Sequence, residues 1–524
     1  MVFSKRCSPM LLSFSVLTSF LFIQFGCKTA DDGSSQLASN TDPCIGVTKP
    51  VPGTIESTKY FDLELNEDYQ GVTSQEKECF EEQEYDESIF LASMIKDLQS
   101  ELSTQHSGEK QGKTLRGFHA KAHGCMVARL YAKTTPNFND PNFSGNGYGT
   151  VAGAQTNPAL RDIVGKSKVG IWQKPANFTG KVPEGFTHYL PAYIRFSGAQ
   201  GRHQSDIRPD GKGMAIKVLM DSMGMSQQDF TMSGSEQCNG ATAAQCMMFG
   251  AALAGVRSEI DTPTENAEAE ALGFLNAFQR RVKVTAQNVN VLPESLKFLA
   301  QQENRQILRN TLGTVRGTFV PNPDPSKTQY WSRTPYKLGD YAVKYTARPV
   351  ECCKPGSGFE DLVSCRKKNI FQRFTSRFGK LREDVKRRAN QLTSSNAWKK
   401  NLMLSAQDYI CYDLSYQFQV SVDKTPVEDP TVEWSKHTPE VVYGKLVIPP
   451  QDFDQGPQNA LCESGEWTTN NFLPEYRPLG HMNRARNRVY KASLDHRLEA
   501  GRKALTDYSK VVPAYTIDKP YYGD

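Results

Sequence analysis

Among its twelve cysteines the chain has no Cys-x-x-Cys pair, which weakens zinc and redox-motif readings. His119 and His123 stand four apart, but Ala120 occupies the place where a zinc protease helix needs glutamate, so that reading fails too. The glycine-rich run NFSGNGYGTVAG, 142–153, lacks the strand–turn–helix spacing of a phosphate cradle and reads as a loop. No internal repeat is present. Charge of one sign is nearly absent in excess: a net +5 over 524 residues demands neither nucleic acid nor an anionic membrane as partner. What remains, 38% hydrophobic and 23% charged, is ordinary globular material with length for a large core.

The N-terminus departs from that composition. Lys5 and Arg6 precede an uncharged apolar run, 10–26, which ends in Gly26-Cys27. A basic start, a hydrophobic middle and a small residue before the cut predict a signal peptide over 1–26. Gly-Cys resembles a bacterial lipoprotein site, so Cys27 is expected to be lipidated and to hold the chain at a membrane. Plain export and an uncleaved anchor are the alternatives, the run approaching the ~20 residues that span a bilayer. Residues 27–55 are polar and read as a flexible tether. The expected location is outside the cytoplasm, in the periplasm or on the outer membrane of a bacterium. Without Cys7 and Cys27 ten cysteines remain, an even number that suggests disulfides in an exported chain. Cys238 and Cys246 could pair, and Cys352, Cys353 and Cys365 crowd one segment.

Residues 56–524 form the body of the chain. Segments 56–110 and 263–313 read as helices, whereas 114–220 breaks into short apolar or alternating runs, among them THYLPAYIRFS and KGMAIKVLM, that read as strands. QYWSRTPYKLGDYAVKYTARP and SYQFQVSV are further strands. Between them, 352–405 is a basic, helix-like insert with Phe371, Phe374 and Phe378 interleaved, either a solvated amphipathic helix or one lying on anionic lipid. Strands, helices, strands and a terminal helix predict an α+β protein with an antiparallel sheet, which a closed barrel with outer helices would satisfy.

Three stretches suggest chemistry. In HMNRARNRVYKASLDHR, 481–497, helical spacing puts Arg486, Tyr490 and Arg497 on one stripe with no acidic residue at the intervening turn positions. In RGFHAKAHGCMVARL, 116–130, a strand would place His119, Lys121 and His123 on one face. In YIRFS, Arg195 interrupts an apolar strand and needs a buried carboxylate or a ligand that brings one.

Together these stretches resemble the catalase superfamily, specifically its minimal branch. RGFHAKAHG is similar to the family's distal segment, IRFS and DIRPDGKGMAIK to its following strands, YWSRTPYKLGDYAVKY to a stretch of the minimal branch, and EYRPLGHMNRARNRVYKAS to its closing motif. The likeness spans roughly residues 110–500. It implies an antiparallel β-barrel catalase core with surrounding helices that binds haem b. Tyr490 would ligate the ferric iron as phenolate, with Arg486 one turn earlier supplying positive charge. Arg116, Arg195 and Arg497 would hold the propionates, as planar forks suited to carboxylates. His119 would be the distal acid–base, Ser197 its orienting hydroxyl, and Phe118 a wall of the distal pocket.

One departure matters. Catalases carry a distal asparagine in a Gly-Asn-Asn-x-Pro type run; the corresponding QDFTMSGSEQCNGATAAQCMMFG, 228–250, has none, and Asn239 or Gln245 could stand in. The long C-terminal arm and flavodoxin-like domain of large catalases are also missing, which argues against their interlocked tetramer. The expected activity is therefore a haem-dependent hydroperoxidase, a peroxidase or weak catalase, using hydrogen peroxide or organic hydroperoxides in the cell envelope. The rivals are a haem-binding envelope lipoprotein without turnover and a structural lipoprotein whose likeness is vestigial.

Overall fold

A computed structural model describes, in the main, residues 118–138, 158–199, 210–220, 227–238, 324–351, 394–419 and 424–499, with Arg116 and a few residues between these stretches. All lie in the second of two units, Thr48–Asp524; the expected signal peptide, Cys27 and most of the expected tether belong to the first, Met1–Val47, and fall outside the described residues. Also outside are the helices read over 56–110 and 263–313, the loop 142–153, Asn239, Gln245, Cys246, Cys352, Cys353, Cys365 and the three insert phenylalanines. No described helix is long and apolar enough to cross a membrane.

The strands are β1 (Ala122–Phe138), β2 (Phe186–Gly198), β3 (Lys212–Leu219), β4 (Gln227–Ser233), β5 (Tyr330–Trp331), β6 (Tyr336–Leu338), β7 (Tyr341–Val350), β8 (Ile410–Phe418) and β9 (Glu440–Ile448). The helices are α1 (Pro158–Lys166), α2 (Ala397–Ser405), α3 (Gly456–Ser464) and α4 (Gly480–Glu499). Every pairing is antiparallel, in the order β5-β4-β3-β2-β1-β9-β8-β7-β6. The short β5 also pairs with β7, which closes eight strands into a barrel and leaves β6 as a flap on β7. The β6–β7 turn has two residues, and Gly339 supplies the φ of +63° at its first position without the steric cost a side chain would bring.

Alternation explains which side chains fill the barrel. Ala128 and Leu130 of β1, Ile194 and Phe196 of β2, Met214 and Ile216 of β3 and Phe230 of β4 share one apolar cluster inside. Tyr345, Tyr412, Tyr416 and Tyr443 complete it, and Trp172 plugs it with its indole N–H donating to Tyr416 Oη at 3.1 Å. The interior is thus a packed core and offers no room for a cofactor.

The intervening residues face outward; many are polar or small, while Val127, Tyr193 and Leu219 pack against Leu461 of α3 and Trp467. The register stacks them in rows across β2, β3 and β4: Ser197–Gly213–Ser233, Arg195–Ala215–Thr231 and Tyr193–Lys217–Asp229. Lys217 donates to both Asp229 oxygens, at 2.7 and 2.9 Å, in a fully enclosed pair. Asp229 also accepts from the Thr468 and Asn471 N–H groups, each at 3.2 Å, and its own N–H donates to the Asn471 carbonyl. That network ties the segment between α3 and α4 to the outer face and so delivers α4 against it. α3 is fixed by a disulfide, Cys125–Cys462, from β1. Closing 337 residues, it stabilises the fold by about 6 kcal/mol on chain-entropy grounds. Cys238 and Cys411 are disulfide-bonded as well.

At the end of the basic insert the described residues dock on the barrel side. α2 buries Ala397, Trp398 and Leu402, and the Trp398 N–H donates to Asp206. Arg387 pairs with the wholly buried Asp324 at 2.9 Å.

Candidate functional site

His119 sits just before β1, at φ +56°. A side-chain-bearing residue in that left-handed region costs about 1–2 kcal/mol, so its neighbours must hold it there. Its N–H donates to the Ala199 carbonyl at 3.1 Å, and its carbonyl accepts from Arg195 Nη2 at 2.7 Å. The ring nitrogen Nδ1 lies 3.1 Å from Ser197 Oγ. Gly213 makes the close approach possible: a Cβ there would stand 2.4 Å from both Cε1 and Nδ1 of the ring. His119 therefore leaves the strand alternation. It does not share a strand face with Lys121 and His123, because the strand begins only at Ala122. His123 is instead buried beside Trp398, 3.9 Å from Asp206.

Electrostatics keep the His119 imidazole neutral. Burial, then the charge of Arg195 and those of Arg333 and Arg486, hold its pKa down at about 3, against a weaker opposing hydrogen bond at Gly198. The residue nevertheless keeps some accessible surface. Ser197 and Arg195 are buried, and Phe118 is half-buried beside them.

From the α4 side, Arg486 acts as a hub. Its Nη1 donates to Thr334 Oγ1, to Asn483 Oδ1 at 3.0 Å and to Tyr336 Oη at 3.3 Å, and its Nη2 to Thr231 Oγ1 at 3.1 Å. The last bond joins the helix to the outer row that holds Arg195. The guanidinium carbon lies 5.7 Å from the centroid of the Tyr490 ring, the two residues one helical turn apart as their spacing predicts. Burial works against the charge of Arg486, but the phenols of Tyr336, Tyr490 and Tyr345 outweigh it and push its pKa up. The charges of Arg486 and Arg333 both lower the His119 pKa, and Tyr490 raises that of both arginines.

The remaining arginines are placed differently from one another. Arg116 Nη2 donates to the Gly465 carbonyl at 2.7 Å and reaches those of Cys462 and Glu463 at 3.4 Å; Arg195 Nε donates to the Cys462 carbonyl at 3.2 Å. Both therefore cap the C-terminal end of α3, where unpaired carbonyls collect. For Arg195 the anticipated partner was a buried carboxylate or a ligand that brings one; its partners include the carbonyls of His119, Ala120 and Cys462. Arg497 is buried and donates to Ser493 one turn earlier at 3.3 Å.

Arg333 was not among the expected residues, although YWSRTPYKLGDYAVKY contains it. It has φ +65°, its Nε donates to the Gln237 carbonyl at 2.8 Å, and its buried Nη2 has no hydrogen-bond partner. A cation two positions after an aromatic strand residue, in an otherwise uncharged turn, was the available signal.

The described residues contain no group of three His, Cys, Asp or Glu side chains able to hold a metal. The donor set fits a haem better than a bare ion: one phenol supported by an arginine, an imidazole held neutral, and an orphaned guanidinium N–H for a carboxylate.

Three solved structures are similar to this chain. A fungal catalase matches at 15% identity and TM-score 0.42, covering 78% of this chain and 63% of its own. Catalase A from Saccharomyces cerevisiae matches at 13% and 0.43, covering 79% and 66%. A bacterial catalase matches at 12% and 0.41, covering 80% and 62%. The match spans less than two thirds of each of these catalases. No protein-family profile and no curated protein sequence matches the chain.

Proposed function

We propose that the chain is a haem-dependent hydroperoxidase, a peroxidase or weak catalase, acting on hydrogen peroxide or an organic hydroperoxide in the cell envelope, where lipidated Cys27 would anchor it. The observation that carries the reading is a neutral, hydroxyl-oriented His119 in electrostatic contact with an Arg486–Tyr490 pair on a separate element.

Tyr490 would hold ferric haem b through its phenolate oxygen, with Arg486 supporting the negative charge. Haem supplies, when bound, the redox equivalents for O–O cleavage. The protein supplies proton movement. With Nδ1–H donating to Ser197 Oγ, the other ring nitrogen, Nε2, is free to take the proton from the inner peroxide oxygen and return it to the outer one. The left-handed backbone and the bonds to Ala199 and Arg195 fix that nitrogen in place before substrate arrives. Arg497 is the propionate partner we retain without change; Arg116 and Arg195 would serve beside their bonds to the end of α3.

The test is purified chain loaded with haemin, given peroxide, and followed for oxygen release or oxidation of a donor dye. Turnover that disappears in His119→Ala, with haem still bound, is expected. Bound haem without turnover in the parent would favour the binding lipoprotein, the reading motivated by the missing Gly-Asn-Asn-x-Pro run.

A further inference from the structure

Arg333 is unexplained by the proton chemistry, and among the described residues it has no carboxylate partner. Its Nη2 is buried without a hydrogen bond, and only a backbone carbonyl, that of Gln237, engages its Nε. A guanidinium N–H left unpaired in a protein interior is unfavourable unless a ligand completes it. Its charge neighbours make matters worse, since they include a second cation, Arg486, opposed only by the phenol of Tyr490. Burial first, and Arg486 next, lower the Arg333 pKa to about 10, which still leaves it charged at neutral pH. The backbone is also held in the left-handed region, at φ +65°, beside Thr334, whose hydroxyl accepts from Arg486. A strained backbone holding an unpaired cation next to Thr334, to which Arg486 donates while lying over the Tyr490 ring, is a built feature that packing alone does not require.

We propose that Arg333 is a carboxylate-binding residue of the site, its unpaired Nη2 donating to an anionic group that the ligand brings. Guanidinium suits this role because its planar fork donates two parallel bonds to a carboxylate. The carboxylate has two possible sources, a propionate of the porphyrin or the acid group of a hydroperoxide substrate. The proposal rests on the haem reading only for the first source.

Titrations of the purified full chain separate them. Parent, Arg333→Gln and Arg333→Gly are each titrated with haemin, haemin dimethyl ester, octanoate and octanamide, following absorbance for the porphyrins and heat for the others. Arg333→Gly removes the cation while accepting the positive φ, so it folds without the strain. If a propionate is the partner, both variants bind haemin about tenfold more weakly or worse, bind the diester as the parent does, and Arg333→Lys recovers part of the loss. If a substrate acid is the partner, haemin affinity is unchanged, and octanoate binding, seen in the parent and absent for octanamide, is lost. A parent without a Soret band overturns the haem reading and leaves octanoate to decide on Arg333. Equal behaviour of parent and both variants toward all four ligands overturns the proposal.

Discussion

The two faces of β2, β3 and β4 differ by one residue step and by nearly everything else. Inward, Ile194, Phe196, Met214, Ile216, Phe230 and Met232 pack into an apolar core. Outward, the same strands show Arg195, Ser197, Gly213, Lys217, Asp229 and Thr231, bonded to segments from both ends of the chain. The barrel interior is thus an apolar core, and the candidate residues lie on its outer wall, where α4 reaches it through Arg486 and Thr231. A rigid inner face fixes the spacing of the outer rows, which lets His119 and Ser197 meet within 3.1 Å.

This contrast can be broken by substitution. The largest effect belongs to the outer face: His119→Ala is expected to reduce peroxide turnover by about 10²–10⁴-fold while changing the denaturation midpoint little. On the inner face, Phe196→Ala is expected to cost about 3–5 kcal/mol in a denaturant titration. Haem binding per folded molecule should then stay as in the parent. A smaller change sharpens the geometry. Gly213→Ala puts a methyl where the His119 ring lies, and the displaced ring should lower turnover by up to about 10²-fold with haem affinity kept.

The smallest effect is a pH response that turnover should lack. With its pKa at about 3, His119 stays neutral through the range in which an ordinary histidine, at 6.5, gains a proton. Turnover per bound haem should thus be flat from about pH 8 to about pH 5, as stopped-flow rates would show. Stability behaves otherwise. Below 6.5 the unfolded chain takes up a proton at His119 that the folded chain refuses until about 3, so folding weakens as pH falls through that window. His123, whose pKa burial holds well below the same 6.5, acts in the same direction.

Much of the barrel was legible because strand alternation is local. THYLPAYIRFS, KGMAIKVLM and SYQFQVSV became β2, β3 and β8. The helix stripe was legible for the same reason: Arg486 and Tyr490 need only each other's spacing. What escaped was non-local or conformational. Cys125 and Cys462 are 337 residues apart, and no spacing rule joins them. The left-handed backbone of His119 and Arg333 has no compositional sign, because histidine and arginine rarely take it. That Arg195 donates to a carbonyl at the end of α3 was equally hidden, since a sequence does not reveal which helix end a guanidinium reaches.

The account turns on whether Tyr490 ligates a porphyrin iron, and an absorbance-monitored haemin titration of parent and Tyr490→Phe chains tests that most directly. A saturable Soret band in the parent, displaced and weakened in Tyr490→Phe while both chains stay equally folded, is the predicted result. No saturable band in the parent, or identical spectra and affinities for the two chains, would contradict it.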